Sequence, residues 1–129
     1  FEVGVFGYDS PYASYVGEIT DNKNHYNPND FEAVSGDDLT VPADLPNEIQ
    51  NSIRETAVNA FKALNCKGFA RVDLFITDDG ELLLNKIGVA PGLRHNSVFP
   101  KLMNHLGFSY PYLIDKLLEN AIENAERSY

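Results

Sequence analysis

Residues 46–66, PNEIQNSIRETAVNAFKALNC, carry apolar side chains at spacings of three and four. These apolar positions are Ile49, Ile53, Ala57, Ala60, Phe61 and Leu64. The spacing places them on one side of an α-helix, and such a helix is stable only when another layer of structure covers that side. Pro46 suits the first turn, and Gly68 follows the last turn. The segment is therefore predicted to be a helix packed on a second layer.

Two strands are predicted directly after this helix. They are FARVDLFIT (69–77) and ELLLNKI (81–87), and Asp78-Asp79-Gly80 between them is a strong hairpin signal. In the first strand, Arg71, Asp73 and Phe75 share one face, because side chains alternate along a strand. A face that carries Arg and Asp does not belong to an ordinary apolar core.

The remaining elements complete an α+β pattern. FEVGVFGY (1–8) and YVGEIT (15–20) are rich in β-branched and aromatic residues, which predicts a second hairpin. SVFPKLMNHLG (97–107) and SYPYLIDKLLENAIENA (109–125) predict two more helices. We therefore expect an antiparallel sheet with helices packed on one face. Residues 21–38 are polar and lack a period, which predicts a long loop.

Length and charge limit the classes of function. A chain of 129 residues suits a single domain over residues 1–129. The formal net charge of −9 argues against nucleic-acid binding, which needs a basic surface. No apolar run is long enough to cross a membrane, and the histidines and the single cysteine show no zinc-ligand spacing. We expect a cytoplasmic protein without nucleic acid or membrane as a partner.

Arg71 and Asp73 are the first candidates for chemistry. Two residues apart on a strand, they project on the same side about 7 Å apart. The carboxylate can hold a divalent ion and the guanidinium can bind phosphate; alternatively, the two form an exposed ion pair. The hairpin places Lys86 near Asp73, where magnesium would need a second carboxylate. A Lys–Asp pair across two strands is an ordinary stabilising contact.

The loop after the second strand is the other candidate. It contains Pro91-Gly92 and leads into the helix at Ser97 and Val98. Glycine permits a ligand to approach the backbone closely, and the amides at the start of a helix attract anions. Ser97 either caps this helix or binds a carboxylate.

These segments resemble the C-terminal lobe of D-alanine–D-alanine ligases, members of the ATP-grasp superfamily. The resemblance is most specific over residues 41–85 and 97–118, from VPADLPNEIQ to ELLLN and from SVFPKL to LIDKLL. It implies an α+β fold and an ATP- and magnesium-dependent ligation through an acyl phosphate, in peptidoglycan precursor synthesis. It also implies that the amino-terminal and central lobes of such a ligase are absent from this chain.

The resemblance assigns roles to individual residues. Asp73 is similar to the first metal ligand, and Arg71 to the arginine that stabilises the transferred phosphoryl group. Gly92 resembles the oxyanion-hole glycine, while Ser97 and the Val98 amide match the site for the second substrate's carboxylate. Weaker similarity places Phe75 and Asn85 in the adenine pocket, and Lys86 is included as a candidate nucleotide contact.

Four departures from the family pattern fall at positions that carry chemistry. The family reads Asn-Glu-Ile-Asn where this chain has Asn85-Lys86-Ile87-Gly88, so the two further metal ligands are missing. The family's lid sequence Tyr-Glu-Ala-Lys-Tyr corresponds to residues 31–35, FEAVS, which lack the lysine and the final tyrosine. Arg94 replaces a small polar residue. ATP and magnesium binding by this chain are therefore in doubt.

Three hypotheses follow for the whole chain. It is a lobe of an ATP-dependent carboxylate–amine ligase that needs its missing lobes, a non-catalytic relative (a pseudoenzyme) used as a binding module, or an isolated fragment that keeps the fold. The substitutions at positions 86 and 88 favour lost or strongly reduced ligase activity. Because absent lobes would uncover apolar sheet surface, we expect either those lobes or a second copy in a homodimer to cover it.

Overall fold

The computed structural model describes residues 1–20 and 38–127 of the chain. In chain order the elements are β1 (Glu2–Gly7), β2 (Tyr12–Ala13), β3 (Glu18–Ile19), β4 (Leu39–Thr40), α1 (Asn47–Ala63), β5 (Gly68–Ile76), β6 (Leu82–Gly88), α2 (Val98–His105) and α3 (Tyr110–Arg127). The predicted helices and the predicted β5–β6 hairpin are all present. Among these described helices, none is both long and apolar enough to cross a membrane.

The main sheet has four antiparallel strands in the order β2-β1-β5-β6. β1 pairs with β5 along its whole length, from Glu2 opposite Asp73 to Gly7 opposite Gly68. β3 and β4 form a separate two-stranded sheet. The strand at the amino end of the chain therefore becomes a central strand, next to the strand that carries Arg71 and Asp73.

Helix α1 covers one face of the main sheet. Its buried residues Ile53, Ala57 and Phe61 are three of the six that the apolar spacing selects, whereas Ile49 and Leu64 are exposed. They join a core cluster with buried sheet residues, among which are Val3, Val5, Ala70, Val72 and Leu74. The odd-numbered side chains of β1 and the even-numbered side chains of β5 thus cover the buried part of the α1 stripe.

Helices α2 and α3 cover the opposite face, so the α+β class is confirmed but the expectation of helices on one face is wrong. Phe6 packs with Phe99, Met103 and Leu113 in a second core cluster. At Gly4, an added Cβ would lie only 3.1 Å from a Phe99 ring carbon, so glycine permits this close packing. The physical reason is that β1 is buried on both sides, since all six of its residues are buried.

The amino-terminal hairpin also differs from the prediction. The strand that pairs with β1 on this side is Tyr12–Ala13, and the segment 15–20 pairs with β1 through the isolated bridge between Glu2 and Gly17. Glu18–Ile19 pairs instead with Leu39–Thr40. The predicted long loop, apart from Asp38, lies outside the described residues, as do the lid positions 31–35.

Two isoleucines on α1 provide a matched test of this packing. Ile53 is fully buried, whereas Ile49, one turn earlier, is 40% exposed. We expect Ile53→Ala to lower the free energy of unfolding by about 2–5 kcal/mol, because it leaves a cavity in the core. Ile49→Ala should cost clearly less, and urea denaturation of both variants measures the difference. Equal losses would contradict the placement of α1.

Candidate functional site: a charged cluster across three strands

Four charged side chains meet where β1, β5 and β6 lie side by side. The pairing register aligns Glu2 with Asp73 and Asp73 with Lys86. Arg71 lies two residues before Asp73 on the same strand and projects from the same face. The structure therefore brings together the three residues predicted for this site and adds a fourth, Glu2.

Both carboxylate oxygens of Asp73 are engaged by cations. Arg71 donates from Nε to Oδ1 at 3.0 Å and from Nη2 to Oδ2 at 3.2 Å. The ammonium of Lys86 lies 3.9 Å from Oδ2. The Asp73 side chain is only 7% exposed, and such a buried carboxylate is stable only when paired.

Glu2 lies close to the same guanidinium, but its Oε2 accepts no hydrogen bond from it. Its Oε2 is 3.0 Å from Arg71 Nε, but the Nε hydrogen points to Asp73. Among the described residues, this buried Oε2 has no hydrogen-bond partner. Burial, and then the negative charge of Asp73, raise the pKa of Glu2 from 4.5 to about 7. The ionised fraction of the Glu2 side chain therefore reaches one half only near neutral pH.

Sequence reasoning missed Glu2 as a site residue. A charged residue within the apolar strand FEVGVFG was the available signal. Its neighbour could not be named, because the pairing of β1 with β5 joins segments about 70 residues apart in the sequence.

The cluster does not fit a magnesium ion. Magnesium prefers oxygen ligands in octahedral geometry, whereas here two carboxylates face two cations. Lys86 lies across from Asp73, where a second carboxylate ligand would be needed. Over residues 1–20 and 38–127, no group of three or more His, Cys, Asp and Glu side chains is arranged to hold a metal ion.

A cleft of about 240 Å³ lies beside the cluster. Its walls are formed by Phe1, Glu2, Glu18, Ile19, Asp73, Leu74, Phe75 and Asn85. Between Asp73 and Leu74 the β5–β6 register shifts, so that Asn85 is an extra residue in β6 and forms a bulge. Phe75 and Asn85, the two predicted pocket residues, thus line one cleft with Asp73. Ligand pockets usually enclose about 300–1,000 Å³, so a nucleotide would extend beyond these walls.

The glycine loop forms the second part of the candidate site. A Cβ added at Gly92 would lie 3.0 Å from Ser97 Oγ, so the serine side chain closes against this glycine. Ser97 occupies the position before the first residue of α2, but its side chain makes no capping hydrogen bond. Val98 is the first residue of α2 and is buried, and its N–H belongs to the first turn, where no intrahelical acceptor exists.

The family model for the D-ala D-ala ligase C-terminus matches residues 1–119 of the chain. The chain belongs to this ligase family. Curated D-alanine–D-alanine ligases of Shouchella clausii and Oceanobacillus iheyensis are 42% and 43% identical to it in alignments of 130 positions that cover 98% of the chain. The predicted family resemblance is therefore confirmed.

Solved ligase structures share the fold. The D-alanine–D-alanine ligase of Coxiella burnetii aligns with 98% of the chain at a TM-score of 0.79 and 31% identity, over 32% of its own length. The VanG D-Ala:D-Ser ligase of Enterococcus faecalis aligns with 92% of the chain at a TM-score of 0.73 and 33% identity, over 35% of its length. The chain spans about a third of the curated ligases, 34% and 35% of the two above.

The raised pKa of Glu2 predicts a pH-dependent stability for this ligase lobe. The folded state holds the Glu2 proton more tightly than the unfolded chain, so Glu2 lowers the free energy of unfolding as pH rises from about 4.5 to about 7. Glu2→Gln should remove this loss and make the chain more stable at pH 8 by up to about 3 kcal/mol, with little change at pH 4.5.

Urea denaturation of both proteins at the two pH values measures this difference. Glu55→Gln, on the exposed side of α1, is the control for replacing a carboxylate by an amide. A Glu2→Gln variant that is equally less stable at both pH values would contradict the assignment.

Proposed function

We propose that this chain is an ATP-grasp C-terminal lobe whose magnesium-dependent ligation is lost or strongly reduced. The observation that carries the proposal is Lys86, which lies directly opposite Asp73 with its ammonium 3.9 Å from Oδ2. The parent reaction would be the ATP-dependent joining of D-alanine in cytoplasmic peptidoglycan precursor synthesis. The relatives' remaining two thirds would hold the amino-terminal and central lobes that such a reaction needs.

The chemistry of phosphoryl transfer supports a severe loss. Magnesium bridges phosphate oxygens and offsets the charge that develops on them, which supplies much of the catalysis. Lysine can approach a phosphate as a point cation, but it cannot bridge two phosphates in octahedral geometry. Asp73, the one remaining family metal ligand, already accepts two hydrogen bonds from Arg71. A metal ion that bound Asp73 would have to displace Arg71 or Lys86 from the carboxylate oxygens.

Other parts of the ligase site are retained in this proposal. Gly92 would present its backbone N–H to an oxyanion, and Ser97 with the Val98 amide would hold a carboxylate. The Ser97 hydroxyl is available for such a contact because it makes no capping hydrogen bond. Phe75 and Asn85 would contact the nucleotide base in the cleft beside Asp73.

A non-catalytic binding module is the second candidate. It is favoured by the charge balance of the cluster, where two carboxylates face two cations. Such a charge-balanced cluster can be kept for the fold, or for weak binding of an anion at Arg71 and Lys86. Homodimer formation remains part of this proposal, as one way of covering exposed sheet surface.

Restoring the two lost ligands tests the proposal. We expect titration calorimetry of the chain with a non-hydrolysable ATP analogue to show no strengthening by magnesium. Lys86→Glu combined with Gly88→Asn should bind at least ten-fold more tightly with magnesium than without it, because both missing oxygen ligands return. Position 88 accepts a side chain, since an added Cβ there would meet nothing closer than 3.9 Å.

Lys62→Glu, at the exposed end of α1, controls for the change in net charge. Magnesium-dependent binding by the unchanged chain would overturn the proposed loss. Binding of the ATP analogue that does not depend on magnesium and is lost in Lys86→Gln would favour the non-catalytic binding module. If no variant bound the ATP analogue, the substitutions at positions 86 and 88 would not be the sole cause of the lost nucleotide binding.

A further inference from the structure

Tyr110, the first residue of α3, holds the glycine loop (residues 92–97) from the side. Its hydroxyl donates a hydrogen bond of 2.7 Å to the carbonyl oxygen of Leu93. The two residues are 17 positions apart in the sequence, so this bond joins the loop before α2 to the start of the following helix. It fixes the orientation of a peptide group in the middle of the loop.

A second contact joins the same tyrosine to the loop. The ring of His95 lies edge-on to the ring of Tyr110, with 5.3 Å between the ring centroids. Within the loop, the N–H of Ser97 donates to the carbonyl of Arg94 at 2.9 Å and closes a turn over residues 94–97. Tyr110 therefore contacts the loop both before this turn and within it.

Tyr110 is itself fixed by the start of α3. The Oγ of Ser109 accepts the N–H of Tyr112 at 3.3 Å, and its carbonyl accepts the N–H of Leu113 at 2.9 Å, so the first turn is capped. Leu113, which lies about one turn after Tyr110, is fully buried in the second core cluster. The tyrosine thus projects from a rigid part of the fold, as a side chain that positions a binding loop must do.

The groups that would bind a carboxylate lie at the end of this loop. They are the hydroxyl of Ser97, which makes no capping hydrogen bond, and the N–H of Val98. Their placement depends on the backbone before them, and binding groups must be held close to their productive geometry. We propose that Tyr110 is a positioning residue, which fixes the loop so that this hydroxyl and this N–H face a carboxylate together.

This inference rests on the proposed function, because the proposed function assigns a carboxylate to Ser97 and Val98. It does not depend on Lys86 or on magnesium.

Tyr110→Phe tests the positioning role, since it removes only the hydroxyl and keeps the ring that contacts His95. We expect the N–H of Ser97 to exchange with solvent about five-fold faster, because one hydrogen bond that holds the loop is lost. D-alanine is the carboxylate probe. It should shift the NMR signal of the Val98 N–H, and Tyr110→Phe should weaken its binding by about the same factor.

Tyr112→Phe is the matched control, because Tyr112 lies in the same first turn but is 45% exposed and packs on Phe108, with 5.2 Å between ring centroids. This control should leave the exchange of the Ser97 N–H and the affinity for D-alanine unchanged. Circular dichroism should show both variants folded.

The two measurements separate this inference from the proposed function. Exchange of the Ser97 N–H that is the same in Tyr110→Phe and the unchanged chain overturns the anchoring of the loop. Faster exchange with an unchanged affinity for D-alanine overturns the positioning role and leaves a contact that serves the fold alone. If D-alanine does not bind the unchanged chain, the carboxylate site of the proposed function is wrong, whereas faster exchange in Tyr110→Phe still supports the anchoring.

Discussion

The complete burial of β1 is the constraint on which the rest of the molecule depends. A central strand with helices on both faces must be apolar on both faces, and Val3, Val5 and Phe6 meet that demand. Glu2 is the exception, and it is carried into the interior by the same strand. The two helix layers and the charged cluster are therefore consequences of one pairing, that of β1 with β5.

Burial makes the charges at this point interdependent. Burial raises the pKa of Glu2, and the negative charge of the neighbouring Asp73 raises it further. Arg71 lies against both of them, and Lys86 approaches Asp73 from the neighbouring strand. Side chains supply the positive charge that offsets these carboxylates, so the local electrostatics do not need an ion.

Local patterns in the sequence were sufficient for much of this structure. The spacing in α1, the turn at Asp78–Gly80 and the juxtaposition of Asp73 with Lys86 all depend on residues within about 20 positions of each other. The two-sided sheet and the role of Glu2 depend on a strand pairing across about 70 positions, which periodicity does not encode. The bulge at Asn85 likewise could not be predicted, because it depends on the register between β5 and β6. Family resemblance supplied roles for residues, but not their contacts.

The same electrostatics would make a magnesium site at this point difficult to create by single changes. Lys86→Glu alone would surround Arg71 with three carboxylates, counting Glu2 and Asp73, before a complete set of metal ligands exists. Like charges in a buried site are costly: burial first, and then the negative charge of Asp73, already raise the pKa of Glu2. Gly88→Asn alone would add an oxygen ligand while Lys86 still lies opposite Asp73. Electrostatic stability therefore favours lysine over glutamate at position 86 when no ion is bound, and neither apolar core cluster includes any of the four charged residues.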